Sequence, residues 1–510
     1  MSKTKNSGLE GFLKRASETT SSKEDVAESF MNAHDYIQRS YYVNHPNFDL
    51  GQCGQVNDTI LMSLANSILR KNLLVKGNYG LGKTTTSEAV SSLIYQLPVE
   101  FVDKGMLQGN PFLTEEKIFG RVDLSKINRG EGEDVLFSLF SQTPSAKIVD
   151  EINRIPPQTQ NSLLKAVETG QFGYLDRFVI SPMGKAPFFA TTNYDDIGNT
   201  EMSPPLLDRF DASVDVSQPL WLGNYIMGEP NLSGLRDDER RALMELRTAT
   251  NRLIEASPDK ADEILKESRK YAFEIAGTPD IKEQRTKISN YELSERLQEI
   301  FSDPPLSYQS KLEKCASIQR EFNEQIRGIG VGNGKLKVLE TIGKNQPFNE
   351  NSQVYWNVFF DHINCIPKRP GDEMSNHDEQ YPVGKIENEL SVRPRIRGKE
   401  FAGLISYLKG EDSISTETVQ QVLPYLISHR AAFSDNLEAD ASDDLTNSLS
   451  MRNAKHIIRE FTEDVYGPNK EDFSRIYGSM NVPEQTASAY ADHTEPSIRE
   501  FAKRFRAREE

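Results

Sequence analysis

The sequence predicts an α/β fold with a mostly parallel sheet, to which all-helical units are appended. Three observations carry this. Short apolar runs ("NLLV", "PVEFV", "KIV" and "PFFATTN") alternate with helical patterns between residues 41 and 216. Parallel strands need such helical crossovers. One run leads into a glycine-rich loop and then a helix. Beyond residue 217 the texture changes to charged segments with apolar residues three and four apart, the spacing of packed amphipathic helices.

Taken in order, residues 1–40 are expected as a polar N-terminal extension, with the Ser-, Thr- and Lys-rich stretch 1–24 as a tail. Residues 41–217 form the α/β core. An all-α insertion spans 218–338. Its expected helices include Leu243 to Leu253, Ser257 to Gly277 (opened by Ser257-Pro258), Leu293 to Phe301 and Tyr308 to Ile326. "GIGVGNG" (328–334) lacks the GxGxxG spacing and is a hinge or loop. A small helical unit covers 339–440, and "SDNLEADASDDLTN" (434–447) is an acidic linker. A C-terminal extension, 441–510, follows.

Length and composition limit the function. A chain of 510 residues accommodates about three domains at about 100–200 residues each. The net charge of −16 and pI of 5.2 argue against a nucleic-acid footprint over the whole chain, since that needs Lys and Arg to neutralise phosphates. Cys53, Cys315 and Cys365 form no CxxC pair, so neither a zinc site nor a disulfide framework is indicated. No apolar h-region opens the chain, and no run reaches the about 18–20 residues of a membrane helix. A soluble, cytoplasmic protein is the expectation.

Gly77-Asn78-Tyr79-Gly80-Leu81-Gly82-Lys83-Thr84 fits G-x-x-x-x-G-K-[ST] and sits between an apolar run and a helix that begins near Thr85. Glycines let the backbone curl so that its N–H groups face phosphate oxygens, and the helix N-terminus adds partial positive charge. Lys83 is expected at the β- and γ-phosphates and the Thr84 hydroxyl at Mg²⁺. About 70 residues on, "AKIVDEINR" ends an apolar run in two acids. Asp150 is the second Mg²⁺ group, and Glu151 the base that orients and deprotonates water. Together the motifs predict ATP hydrolysis.

"GNYGLGKT", "VDEINRIPPQTQNSLLKAVETGQ", "PFFATTN" and "LLDRF" occur in the order and spacing of the MoxR group of AAA+ ATPases, which the chain resembles over 41–216 and 339–440. "QGNPFLTEEKIFG" and "RPRIRGKEFAGLISYLKGEDSISTETVQQVLPYLISHR" add to the likeness, the latter as that group's helical lid. The resemblance implies a P-loop NTPase core and lid, with Asn193 as sensor 1 on the γ-phosphate or lytic water. It implies Arg209 as an arginine finger reaching a neighbouring subunit's nucleotide; the other "DRF", Asp176 to Phe178, falls in an expected hairpin. Arg395 would be sensor 2, in competition with Arg393 and Arg397. Arg154 would face a neighbour's nucleotide or make a local ion pair.

A finger in trans implies a homo-oligomeric ring, hexameric in this group, with a pore near Gln108 to Phe112 and Asn128 to Asp134. The resemblance further implies chaperone-like remodelling of a client protein, often with a partner carrying a von Willebrand factor A domain. A DNA-associated motor is the alternative, given Arg121, Lys126 and Arg129; a nucleotide switch without turnover is a third, against which Glu151 argues. Three features depart from the group: Lys147 inside the run before Asp150 (an edge strand or a snorkelling side chain), the helical insertion, and the residues past the lid.

Overall fold

The computed structural model describes residues 23–40, 47–78, 80–130, 132–175, 177–180, 185–193, 202–216, 286–304, 306–364, 386, 390–433, 448–477 and 488–506. The expected helices at 243–253 and 257–277 lie outside them, as does Tyr79.

Five parallel strands form the central sheet: β1 (Asn72–Gly77), β2 (Leu107–Gln108), β3 (Lys147–Asp150), β4 (Phe188–Thr192) and β5 (Ala212–Val216), in the order β5-β1-β4-β3-β2. The non-sequential order follows from helical crossovers between strands. Alternate residues feed two cores. Leu73, Val75, Ile148 and Phe189 face one; Leu74, Val149, Phe188 and Ala190 face the other. Both faces are covered, which is why these strands are continuous apolar runs.

The first face is packed by α1 (Lys23–Ser40), α2 (Asp58–Leu69), α3 (Lys83–Tyr95) and α4 (Val99–Lys104). Residues 23–40, expected within a polar extension, are instead a helix whose Val26, Phe30, Ala33 and Ile37 are buried in that core. Their spacing of four, three and four makes one apolar stripe. Asn57 caps α2, its side chain accepting from Ile60 N at 3.0 Å. The second face carries the short α5 (Leu139–Gln142), α6 (Pro157–Thr169) and the hairpin of Gln171–Tyr174 with Arg177–Ile180.

The helical part is α7 (Tyr291–Ser302), α8 (Tyr308–Gln325), α9 (Asn333–Asn345), α10 (Glu350–Asn364), α11 (Arg393–Leu408) and α12 (Thr416–Ile427). The turn before α9 and the first two residues of that helix take up "GIGVGNG". Helices α9 and α11 cross closely because both lack a side chain there: a Cβ on Gly403 would lie 2.4 Å from Gly343 O. The C-terminal helices α13 (Leu449–Glu460), α14 (Lys470–Tyr477) and α15 (Pro496–Arg506) join the first core through Met451, Ile457, Phe473 and Ile498, as does Phe461 just after α13. The described residues from 448 on therefore pack with α10 and α12.

Lys147 corrects both expectations made for it. β3 lies between β4 and β2 and is not an edge, and Lys147 is 2% exposed and does not snorkel. Its ammonium donates to Phe140 O (2.6 Å), Thr143 O (2.7 Å), Thr143 Oγ1 (3.2 Å) and Ser141 O (3.3 Å) and lies 4.9 Å from the Phe172 ring centroid. Burial pushes its pKa down to about 7. The unfolded chain then binds more protons between pH 7 and 10.5, so this group makes stability rise with pH across that window. Wild type is expected to gain about 3 kcal/mol on Lys147→Met between pH 7 and 9.5. Paired urea titrations at the two pH values measure this; an unchanged gap would refute it.

Candidate active site

The P-loop leaves β1 at Gly77 and enters α3 at Lys83. Gly77 (φ +154°) cannot be replaced without collision, because a Cβ would sit 2.3 Å from Val216 O. Gly80 and Gly82 have φ of 74° and 79°, the left-handed region that glycine enters freely. Thr85 is half-buried in the first turn of α3, and Leu81 packs partly on the core.

Lys83 and Thr84 connect this loop to the other two strand ends. Lys83 Nζ donates to Gly77 O (2.7 Å), Asn78 O (2.6 Å) and Asn193 Oδ1 (2.8 Å). Burial lowers its pKa, against the opposing pull of Asp150 and Glu151. The Thr84 hydroxyl donates to Asp150 Oδ1 at 2.6 Å. Thr191 Oγ1 donates to the same oxygen at 2.6 Å and accepts from Glu151 N at 2.9 Å. Glu88, one turn after Thr84, is pushed up to about 8 by burial and by the carboxylates of Asp103 and Asp150. It is mostly neutral at pH 7 and adds little negative charge there.

Glu151 is held on every side. Its backbone is left-handed at φ 53°, ψ 50°, a strained state for a residue with a Cβ that persists when surroundings fix it. Asn193 Nδ2 donates to Oε1 at 2.9 Å. Gln108 Nε2 donates to Oε2 at 3.2 Å, and Arg154 Nη1 lies 2.9 Å from Oε2. Asn193 therefore bridges Lys83 and Glu151. Arg154 makes the local ion pair, one of its two expected options.

Magnesium fits this geometry. It is a hard cation that takes oxygen ligands and commonly combines one or two protein groups with phosphate oxygens and water. Thr84 Oγ1 and Asp150 Oδ1 are adjacent, and no larger His, Cys, Asp and Glu group able to hold a metal occurs among the described residues.

The expected arginines are elsewhere. Arg209 donates to Pro205 O at 2.7 Å and pairs with Glu168 at 3.2 Å. Arg395 bonds Asp361 (2.6 Å) and Asn357 (2.9 Å) of α10. Neither these bonds nor those of Arg393 (Asp208 2.7 Å, Glu168 2.8 Å) and Arg397 (Asp211 3.1 Å) reach the P-loop cluster. Arg395, expected as sensor 2, is thus held by Asp361 and Asn357 of α10.

Three contributors escaped the sequence reading. Thr191 lies two residues before Asn193, so strand alternation places both on one face; that was legible. Gln108 and Gly109 were read as pore loop. Gly109 N donates to Asp150 O at 2.7 Å, a tertiary contact with no local signal.

Residues 72–210 match the family model of the AAA domain, dynein-related subfamily. Structural protein ORF618 of Acidianus two-tailed virus is 30% identical over 139 residues, 27% of this chain and 21% of that one. The chain thus spans about a fifth of that relative's length. A solved protein of Cytophaga hutchinsonii, assigned as an ATPase, aligns over 84% of this chain and 94% of its own at 14% identity, with a TM-score of 0.44.

Proposed function

We propose that the AAA-type domain matched over residues 72–210 hydrolyses ATP, and that the chain assembles into a ring, hexameric in form, that uses this hydrolysis to remodel a partner protein. The observation that carries this reading is the split site. One chain supplies Lys83, Thr84, Asp150, Glu151 and Asn193 in contact with one another, while Arg209 pairs with Glu168 outside that cluster. An arginine finger adds about 10³–10⁵ to phosphoryl transfer, so a site closed by the neighbour's Arg209 suits a heterologous ring. In hydrolysis, the Glu151 carboxylate accepts the proton of the attacking water while Asn193 and Lys83 fix water and γ-phosphate. Mg²⁺, held by Thr84 and Asp150, would neutralise phosphate charge.

Mixing two inactive variants tests this. In a ring, Glu151→Gln subunits lend Arg209 to Arg209→Ala subunits, which keep their own Glu151. A one-to-one mixture is therefore expected to regain activity at about a quarter of its interfaces. A mixture no more active than its two components refutes the shared site.

MoxR-like work on a client, with a partner carrying a von Willebrand factor A domain in the cytoplasm, is the extension of this proposal. Among the described residues no helix is long and apolar enough to cross a membrane. The DNA-motor alternative is weakened because Lys126, one of its three candidate cations, is paired with Asp134. DNA-stimulated, salt-sensitive turnover would favour it.

A further inference from the structure

Lys147 takes no part in the hydrolytic set, yet it stands three residues before Asp150 on the same strand. Its ammonium grips α5, the turn that feeds β3, through carbonyls of Phe140, Ser141 and Thr143. The helical block also holds α5, at Gln142. Lys311 Nζ on α8 donates to Gln142 Oε1 at 3.0 Å and to Phe301 O of α7 at 2.8 Å. Tyr308 OH donates to Gln142 O at 3.1 Å. Gln142 Nε2 closes the turn by donating to Phe137 O at 2.6 Å. The same block holds the far end of the P-loop helix, where Gln319 Nε2 donates to Tyr95 O at 2.8 Å.

We propose that Lys147 is a positioning residue, and that α7 and α8 act on the Asp150–Glu151 pair through the relay Lys311–Gln142–α5–Lys147. Apolar contacts are non-directional and tolerate sliding. A leucine at this position would let α5 move over the strand with little change. A buried amine is different, because moving it away from its oxygens leaves buried donors and acceptors unsatisfied. It keeps those oxygens only if the strand moves with α5. β3 rises about 3.3 Å per residue and is bonded to strands on both sides, so a displacement at Lys147 arrives at Asp150 as a displacement. The block therefore grips both the strand that carries the acids and the helix that carries the phosphate lysine.

Steady-state ATPase assays on the full chain test the relay. Lys147→Met, Gln142→Leu and Lys311→Met are each expected to lower kcat about two- to thirtyfold. KM for ATP should stay within about twofold, since the phosphate-binding groups are untouched. The Lys147→Met/Lys311→Met double variant should be no slower than the worse single, because both cut one path. Tyr308→Phe removes one hydroxyl with its packing kept, and is expected to lower kcat at least about twofold. It decides the matter should Lys147→Met fail to fold. Wild-type kcat in the folded variants, KM rising in place of falling kcat, or effects that multiply in the double variant overturns the relay.

Discussion

Replacing Glu151 by glutamine is expected to lower ATP turnover by about 10²–10⁴-fold while ATP binding persists. Glutamine keeps the shape and can still accept from Asn193 Nδ2, which lies 2.9 Å from Oε1. It cannot take a proton from water. Lys83 and the backbone of residues 77 to 84, the groups proposed to bind phosphate, are unchanged. Phosphate release and binding of a fluorescent ATP analogue, measured together, check this. Turnover within about tenfold of wild type would remove Glu151 from the role of base.

Gly109→Ala is expected to cost about 10²-fold in kcat, the scale for a reacting group misplaced by about 1 Å. The new Cβ would lie 2.2 Å from Glu151 O and 2.9 Å from Asp150 O, far inside van der Waals contact. Either β2 or the backbone of the two acids must move. That backbone is already strained at Glu151 (φ 53°), so it is the weaker side. The change lies outside the P-loop, so affinity for the nucleotide should hold. Equal kcat in the folded variant would show that β2 yields instead.

The nucleotide-binding half was legible because its chemistry is local. Gly77 to Thr84 specify a loop by glycine placement, and Asp150 and Glu151 end an apolar run, so sequence order alone implied their convergence. Helices with one apolar stripe were equally plain: 293–301 and 308–326 became α7 and α8. Helix α1 was missed although Val26, Phe30, Ala33 and Ile37 mark its stripe, because the polar residues between them dominated the composition. Lys147 was misjudged for a different reason. A lysine in a strand predicts solvent, and only the fold reveals four oxygens waiting in the interior. Gln108 and Gly109 have no local signature, since their partners are more than forty residues away. Arg395 was placed by resemblance, and its partners Asp361 and Asn357 belong to the helix before it.

The helical part meets the α/β core near both ends of β1. Near the start of β1, Gly343 of α9 lies so close to Leu69 that a Cβ there would be 2.7 Å from Leu69 Cδ2. At its other end, Ser448, the cap of α13, donates its backbone N–H to Asp215 at 3.0 Å, and Ser450 accepts from Lys76 at 3.3 Å. A six-residue strand is about 17 Å long from first to last Cα. Between these ends Tyr425 donates to Asp58 at 2.9 Å, Ser428 bonds Ser213 at 2.7 Å, and His429 and Arg430 both meet Phe210 O. A body held at two points can still turn about the line between them, but one held at further points off that line cannot turn at all. The helices and the strand that leads into the P-loop therefore move as one piece until such a contact breaks.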